Sequence, residues 1–247
     1  MTQQVYVYAT DSYTETTIKD FLQKINQKIH WVIRSPSLRK MAKKDYIINA
    51  ELPILTGRTG ADLEKFMIDE IMEHSVILTE CVAVMLEDDL DRRDSSMDQD
   101  EYLQVQQDRL SATLSEIKEQ RTAKFICLYA APEVETWLIE DWGNSFGDAA
   151  LFDSQIAAEL RKALNKIRDD CGGNFECYSH HFSEKFSDWL IDRIQQCAVS
   201  LDKTDIEKAS YAKKRLGAKF LQAIEPQIIE QKCRIYFAKA YHAIHEI

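Results

Sequence analysis

Apolar positions in the first 142 residues fall into short continuous runs, separated by stretches with helical spacing. Residues 5–9 form one run and predict a strand; the polar stretch Asp11-Ser12-Tyr13-Thr14-Glu15 predicts the turn after it. Residues 14–29 read as an amphipathic helix with Ile18, Phe21, Leu22 and Ile25 on one face. A second strand is expected at 46–49, and a helix at 61–74 with Leu63, Phe66, Met67 and Ile71 as its core face. Residues 76–88 predict a buried strand, 101–121 a long exposed helix, and 124–130 another strand. Pro132 sits where a helix would begin, with acids in its first turn. From residue 150 the pattern is helical, broken most clearly at Cys171-Gly172-Gly173-Asn174.

Strands alternating with helices imply an α/β fold, a mostly parallel sheet flanked by helices. The expected division is an α/β core over 1–145 and a helical C-terminal extension over 146–247, packed on that core. Trp137, Trp142, Trp189, Phe182 and Phe186 read as core or interface residues. The apolar run 235–244 is expected to dock on the core or on another subunit of a homo-oligomer.

Composition narrows the class. With 7 Gly and 4 Pro in 247 residues and 29% charged residues, the chain reads as ordered and helix-rich. A net charge of −10 argues against a protein coated for indiscriminate nucleic-acid binding, though local basic patches remain. No leader-like segment precedes the first strand, and no apolar run approaches a membrane span, so a soluble, cytoplasmic protein is expected. The six cysteines read as buried thiols; Cys171, Cys177, His180 and His181 match no common zinc spacing.

The chemistry concentrates where strands end. The run Val82-Ala83-Val84-Met85-Leu86 passes directly into Glu87-Asp88-Asp89-Leu90-Asp91. Three acidic clusters follow three expected strands: Asp11 with Glu15, Asp89 with Asp91, and Glu133 with Glu135. In a parallel sheet these ends open on one edge, where ligands bind. Carboxylates brought together there need a cation, and Mg²⁺ or Mn²⁺ takes such oxygen donors together with water and substrate phosphates. No Gly-x-Ser-x-Gly elbow appears, and Thr56-Gly57-Arg58-Thr59-Gly60 lacks the ending of a nucleotide-binding P-loop.

Strand–Asp11-x-x-x-Glu15–helix followed by strand–Asp89-x-Asp91 resembles the Toprim domain of topoisomerases, primases and overcoming-lysogeny-defect nucleases. The run Ala131-Pro132-Glu133-Val134-Glu135-x-Trp137-Leu138-x-x-Asp141 is similar to a motif of small bacterial Toprim-like proteins found among phage-defence genes. The resemblance covers residues 5–142. It implies a nuclease in which Asp89, Asp91 and Glu135 hold Mg²⁺ or Mn²⁺ while Asp11 and Glu15 serve catalysis. It also implies the effector of an anti-phage system with an ATPase partner. Asp11 stands where the family has Glu, and Ser12 where it has Gly. Those departures support an alternative, a non-catalytic binding or regulatory module; a third class would act on a small phosphorylated substrate.

A DNA or RNA backbone could be held by Arg34, Arg39, Lys40, Lys43 and Lys44, with Trp31 stacking on a base. These residues belong to the acid-free segment 28–44, which reads equally well as a solvated face. A second basic stretch, Lys203 to Lys219, is diluted by acids.

Overall fold

Each central strand of this protein sends alternate side chains into two separate cores. The computed structural model describes residues 3–10, 15–35, 59–74, 81–91, 93–94, 96–117, 123–204 and 207–247. Strands β1 (Gln3–Ala9), β2 (Ile29–Arg34), β3 (Ala83–Asp89) and β4 (Lys124–Ala130) form an all-parallel sheet in the order β2-β1-β3-β4. Val5 stands beside both Trp31 and Ala83, and Asp89 beside Ala130. All seven positions of β3 are buried, as its unbroken apolar run requires of a strand covered on both faces.

Val5, Val7, Ala9, Ala83, Met85, Ile126 and Leu128 face the larger core. Helix α1 (Glu15–Ile25) adds Ile18, Phe21, Leu22 and Ile25 to it. Tyr6, Tyr8, Val84, Leu86, Cys127 and Tyr129 face the smaller core. There α2 (Ala61–Glu73) contributes Leu63, Met67 and Ile71, and α3 (Gln99–Ile117) contributes Tyr102, Leu103, Leu110 and Leu114. The expected exposed helix therefore buries one stripe.

The C-terminal region shares the larger core with the sheet. It comprises α4 (Glu135–Glu140), α5 (Ser154–Asp170), α6 (Tyr178–His181), α7 (Phe186–Ser200), a π-helical turn (Lys213–Gly217), α8 (Ala218–Ala223), α9 (Pro226–Lys232) and α10 (Phe237–His245). Asp153 caps α5 by accepting from the amides of Gln155 and Ile156. Trp137 stacks on Phe21 at 5.5 Å and meets Phe237 edge-on at 5.0 Å. The apolar run 235–244 docks on the sheet's own core through Phe237, Ala240, Tyr241 and Ile244. Glu176 anchors its start, accepting from the amides of Ile235, Tyr236 and Phe237 at 2.7, 2.9 and 3.3 Å.

Two expectations change, and a strand that was not among them appears. Among the described residues the strand after β1 is residues 29–34, inside the segment singled out for its basic charge; the strand expected at 46–49 lies outside the described residues. Trp31 is 1% exposed and its indole donates to the Asn26 carbonyl, so it is a core residue unable to stack on a base. The helix after β4 begins at Glu135, and Pro132, which follows a cis peptide bond after Ala131, lies in the turn before it. Among the described residues all six cysteines are free, and no helix is long and apolar enough to cross a membrane.

Candidate acidic site at the carboxyl edge of the sheet

The strand order reverses direction between β1 and β3, the place where open parallel sheets leave a crevice at their carboxyl ends. Strand β3 delivers three consecutive acids there, and its pleat divides them. Asp88 points toward the smaller core and is held through Oδ2 by the Gly60 amide (2.8 Å) and the Arg93 guanidinium (2.5 Å). Gly60 makes this approach at a φ of +57°, which favours glycine. Glu87 accepts from the Thr10 amide at 3.3 Å. Asp89 accepts at Oδ1 from the Val134 amide (2.9 Å) and at Oδ2 from Lys213 (2.9 Å).

The loop after β4 brings two more carboxylates. Glu133 accepts from both the amide and the hydroxyl of Ser187, at 2.7 and 2.9 Å. Glu135 is fully buried; its Oε1 accepts from the Tyr211 hydroxyl at 2.9 Å. Its Oε2 accepts no hydrogen bond and lies 3.5 Å from Lys213 Nζ. The Lys213 ammonium thus bridges Asp89, at the end of β3, and Glu135, at the start of α4.

Burial sets the electrostatics. It raises Glu87 well above the ordinary carboxylate range, with Asp89 and Asp88 adding to the effect. Burial and then the neighbouring Glu135 push Glu133 up to about 7. Burial also raises Glu135, against the pull of Lys213. Asp88 is pushed up to about 6 by burial, with Arg93 opposing. Burial works against the charge of Lys213, yet Asp89 and Glu135 outweigh it and hold the ammonium protonated. A carboxyl that titrates near neutrality, as Glu133 does, is suited to general acid–base work.

The structure brings Asp89 and Glu135 together on Lys213, while Asp91 pairs with a different cation. Asp91 has a φ of +51°, donates its amide to the Pro132 carbonyl and pairs with Lys185 at 3.0 Å. Asp11 and the Glu15 side chain lie outside the described residues, as do Arg39, Lys40, Lys43 and Lys44. Arg34 pairs with Glu70 at 3.4 Å and lies over the Tyr6 ring.

Sequence reasoning leaves Glu133 among the acids without a role, and it gives no signal for Lys185 or Ser187. Lys213 carried a faint signal as part of the second basic stretch. Among the described residues, no group of three His, Cys, Asp or Glu side chains could hold a metal ion. The donor chemistry nevertheless suits a hard cation. Asp89 and Glu135 are all-oxygen donors already gathered around a positive charge, and Glu135 keeps one buried oxygen without a hydrogen bond. Comparison with protein-family models, curated proteins and solved structures returned no match.

Proposed function

We propose that this protein is a Toprim-type nuclease that hydrolyses nucleic-acid phosphodiesters with the help of Mg²⁺ or Mn²⁺. The observation that carries this reading is the convergence of Asp89 and Glu135, 46 positions apart, on one cation position beyond the carboxyl ends of β3 and β4. Asp89 and Glu135 would hold the metal, with waters and substrate oxygens as its other ligands. A metal held there would supply activation of water and stabilisation of charge on the phosphoryl and leaving oxygens. Glu133, fixed by Ser187, is the carboxyl that would take up or release a proton beside it. Assignment to anti-phage defence with an ATPase partner rests on the family resemblance alone.

The test is calorimetric titration with Mn²⁺, followed by assays on plasmid, single-stranded DNA and RNA. Asp89→Asn and Glu135→Gln are expected each to abolish metal binding and cleavage, while Asp91→Asn keeps binding within a few-fold of wild type. Absence of metal binding and of cleavage in the wild type and also in Lys213→Met, which lacks the competing ammonium, would sink the reading.

A second reading, a non-catalytic Toprim-like module, is favoured by one observation: the Lys213 ammonium already neutralises Asp89 and Glu135. Under it, function in the parent system survives Asp89→Asn.

A further inference from the structure

The cation at the centre of this site belongs to the protein itself. Lys213 approaches from the C-terminal region, 124 positions from Asp89, and its side chain is 26% exposed. It opens the π-helical turn, in which the amides of Arg215, Leu216 and Gly217 all converge on the Ala212 carbonyl, at 3.0, 2.9 and 3.3 Å. Three donors on one acceptor make a turn poised between narrower and wider helical geometry, and such π segments occur frequently at functional sites. Tyr211, two residues before Lys213, is tied to the same Glu135. One short segment therefore supplies both the hydroxyl and the ammonium that hold this carboxylate.

A divalent ion bound between Asp89 and Glu135 would compete with that ammonium for the same oxygens. Asp89 Oδ2 lies 2.9 Å from Lys213 Nζ and Glu135 Oε2 lies 3.5 Å from it. At such separations two positive charges cannot share the seat without strong repulsion. The remaining Asp89 oxygen accepts from the Val134 amide. Glu133 is engaged by Ser187, and Asp91 by Lys185. No other lysine or arginine is paired with Asp89 or Glu135 among the described residues.

We propose that Lys213 is a built-in counter-cation that must leave Asp89 and Glu135 before a divalent metal can sit there, making the π-helical turn a latch on the acidic site. This regulation rests on the metal-dependent reading above. The latch keeps the site closed to metal until the turn shifts, so whatever moves residues 211–217 governs loading.

The experiment is Mn²⁺ titration by calorimetry of wild type, Lys213→Met and Lys213→Arg, with amide hydrogen exchange of the wild type at saturating Mn²⁺. Lys213→Met is expected to bind Mn²⁺ at least tenfold tighter than wild type, and Lys213→Arg no tighter. In the wild type, exchange at Arg215, Leu216 and Gly217 is expected to speed up with metal. Equal or weaker binding by a folded Lys213→Met overturns the latch while leaving the metal site standing. Absence of binding in every variant overturns both. Should Lys213→Met fail to fold, the wild-type exchange decides: unchanged or slower exchange in this turn on metal binding overturns the latch.

Discussion

The phenol of Tyr211 donates to Oε1 of Glu135 at 2.9 Å, across 76 positions of chain. A hydrogen bond to a charged, buried acceptor contributes more than one between neutral groups. Tyr211→Phe keeps the ring against Phe146 and Phe220 and removes only the hydroxyl. The expected loss is about 1.5–3 kcal/mol of stability by urea denaturation. A neutral substitution would show that the carboxylate does not depend on this donor.

Trp31 distinguishes packing from binding. Its indole is buried beside α1, so Trp31→Ala is expected to destabilise the protein by about 3–5 kcal/mol, the range for deleting a large core aromatic. An alanine variant of wild-type stability but weakened nucleic-acid affinity would contradict the core assignment.

Stability should fall as pH rises through neutrality in the presence of a chelator. Glu133 is raised from 4.5 to about 7 and Asp88 from 3.8 to about 6, burial being the leading cause for each. Between those limits the folded protein binds more protons than the unfolded chain. The associated stability is therefore complete below the unfolded values and lost as pH passes the folded ones. Unfolding free energies are expected to drop by about 2 kcal/mol or more between pH 5 and 7.5. Glu133→Gln should make that decline shallower; a rise over the same interval would contradict the burial argument.

Glu176 ties the last helix down. Replacing it by alanine leaves the buried amides of Tyr236 and Phe237 without their acceptor, along with that of Ile235. The expected cost is about 3 kcal/mol or more, from several donors unpaired at once. Limited proteolysis near residues 233–237 should accelerate; unchanged cleavage would mean α10 is held mainly by Phe237 and Ile244.

The parts of this fold that read clearly from the sequence are those set by local pattern. Strands β3 and β4 announce themselves as apolar runs, and the acids of β3 sit where such a run must meet the sheet's edge. Strand β2 was hidden because Lys28, Arg34 and the cations beyond drew the segment Ile29–Arg34 into a charge argument. Its alternation is imperfect, with His30 exposed between the buried Ile29 and Trp31. Lys213, Lys185, Ser187 and Tyr211 could not be assigned, because each reaches the site from a helical region whose spacing reports only which face is apolar. Asp89-x-Asp91 reads as a chelating pair in sequence; in the structure Asp91 has a positive φ and pairs with Lys185, whose approach from a distant segment no local pattern reports.

The long reach of Lys213 and Lys185 has a consequence for how the chain is made. A nascent chain completes its last strand at Ala130, before Lys185 or Lys213 has been synthesised. Until Lys213 emerges, Asp89 and Glu135 lack the cation that pairs them, so burying both as charged groups is costly. Burial of these two acids is thus timed by the C-terminal region, and a chain cut short before Lys213 would carry a finished set of strands with cations for Asp88 and Asp91 but none for Asp89 and Glu135.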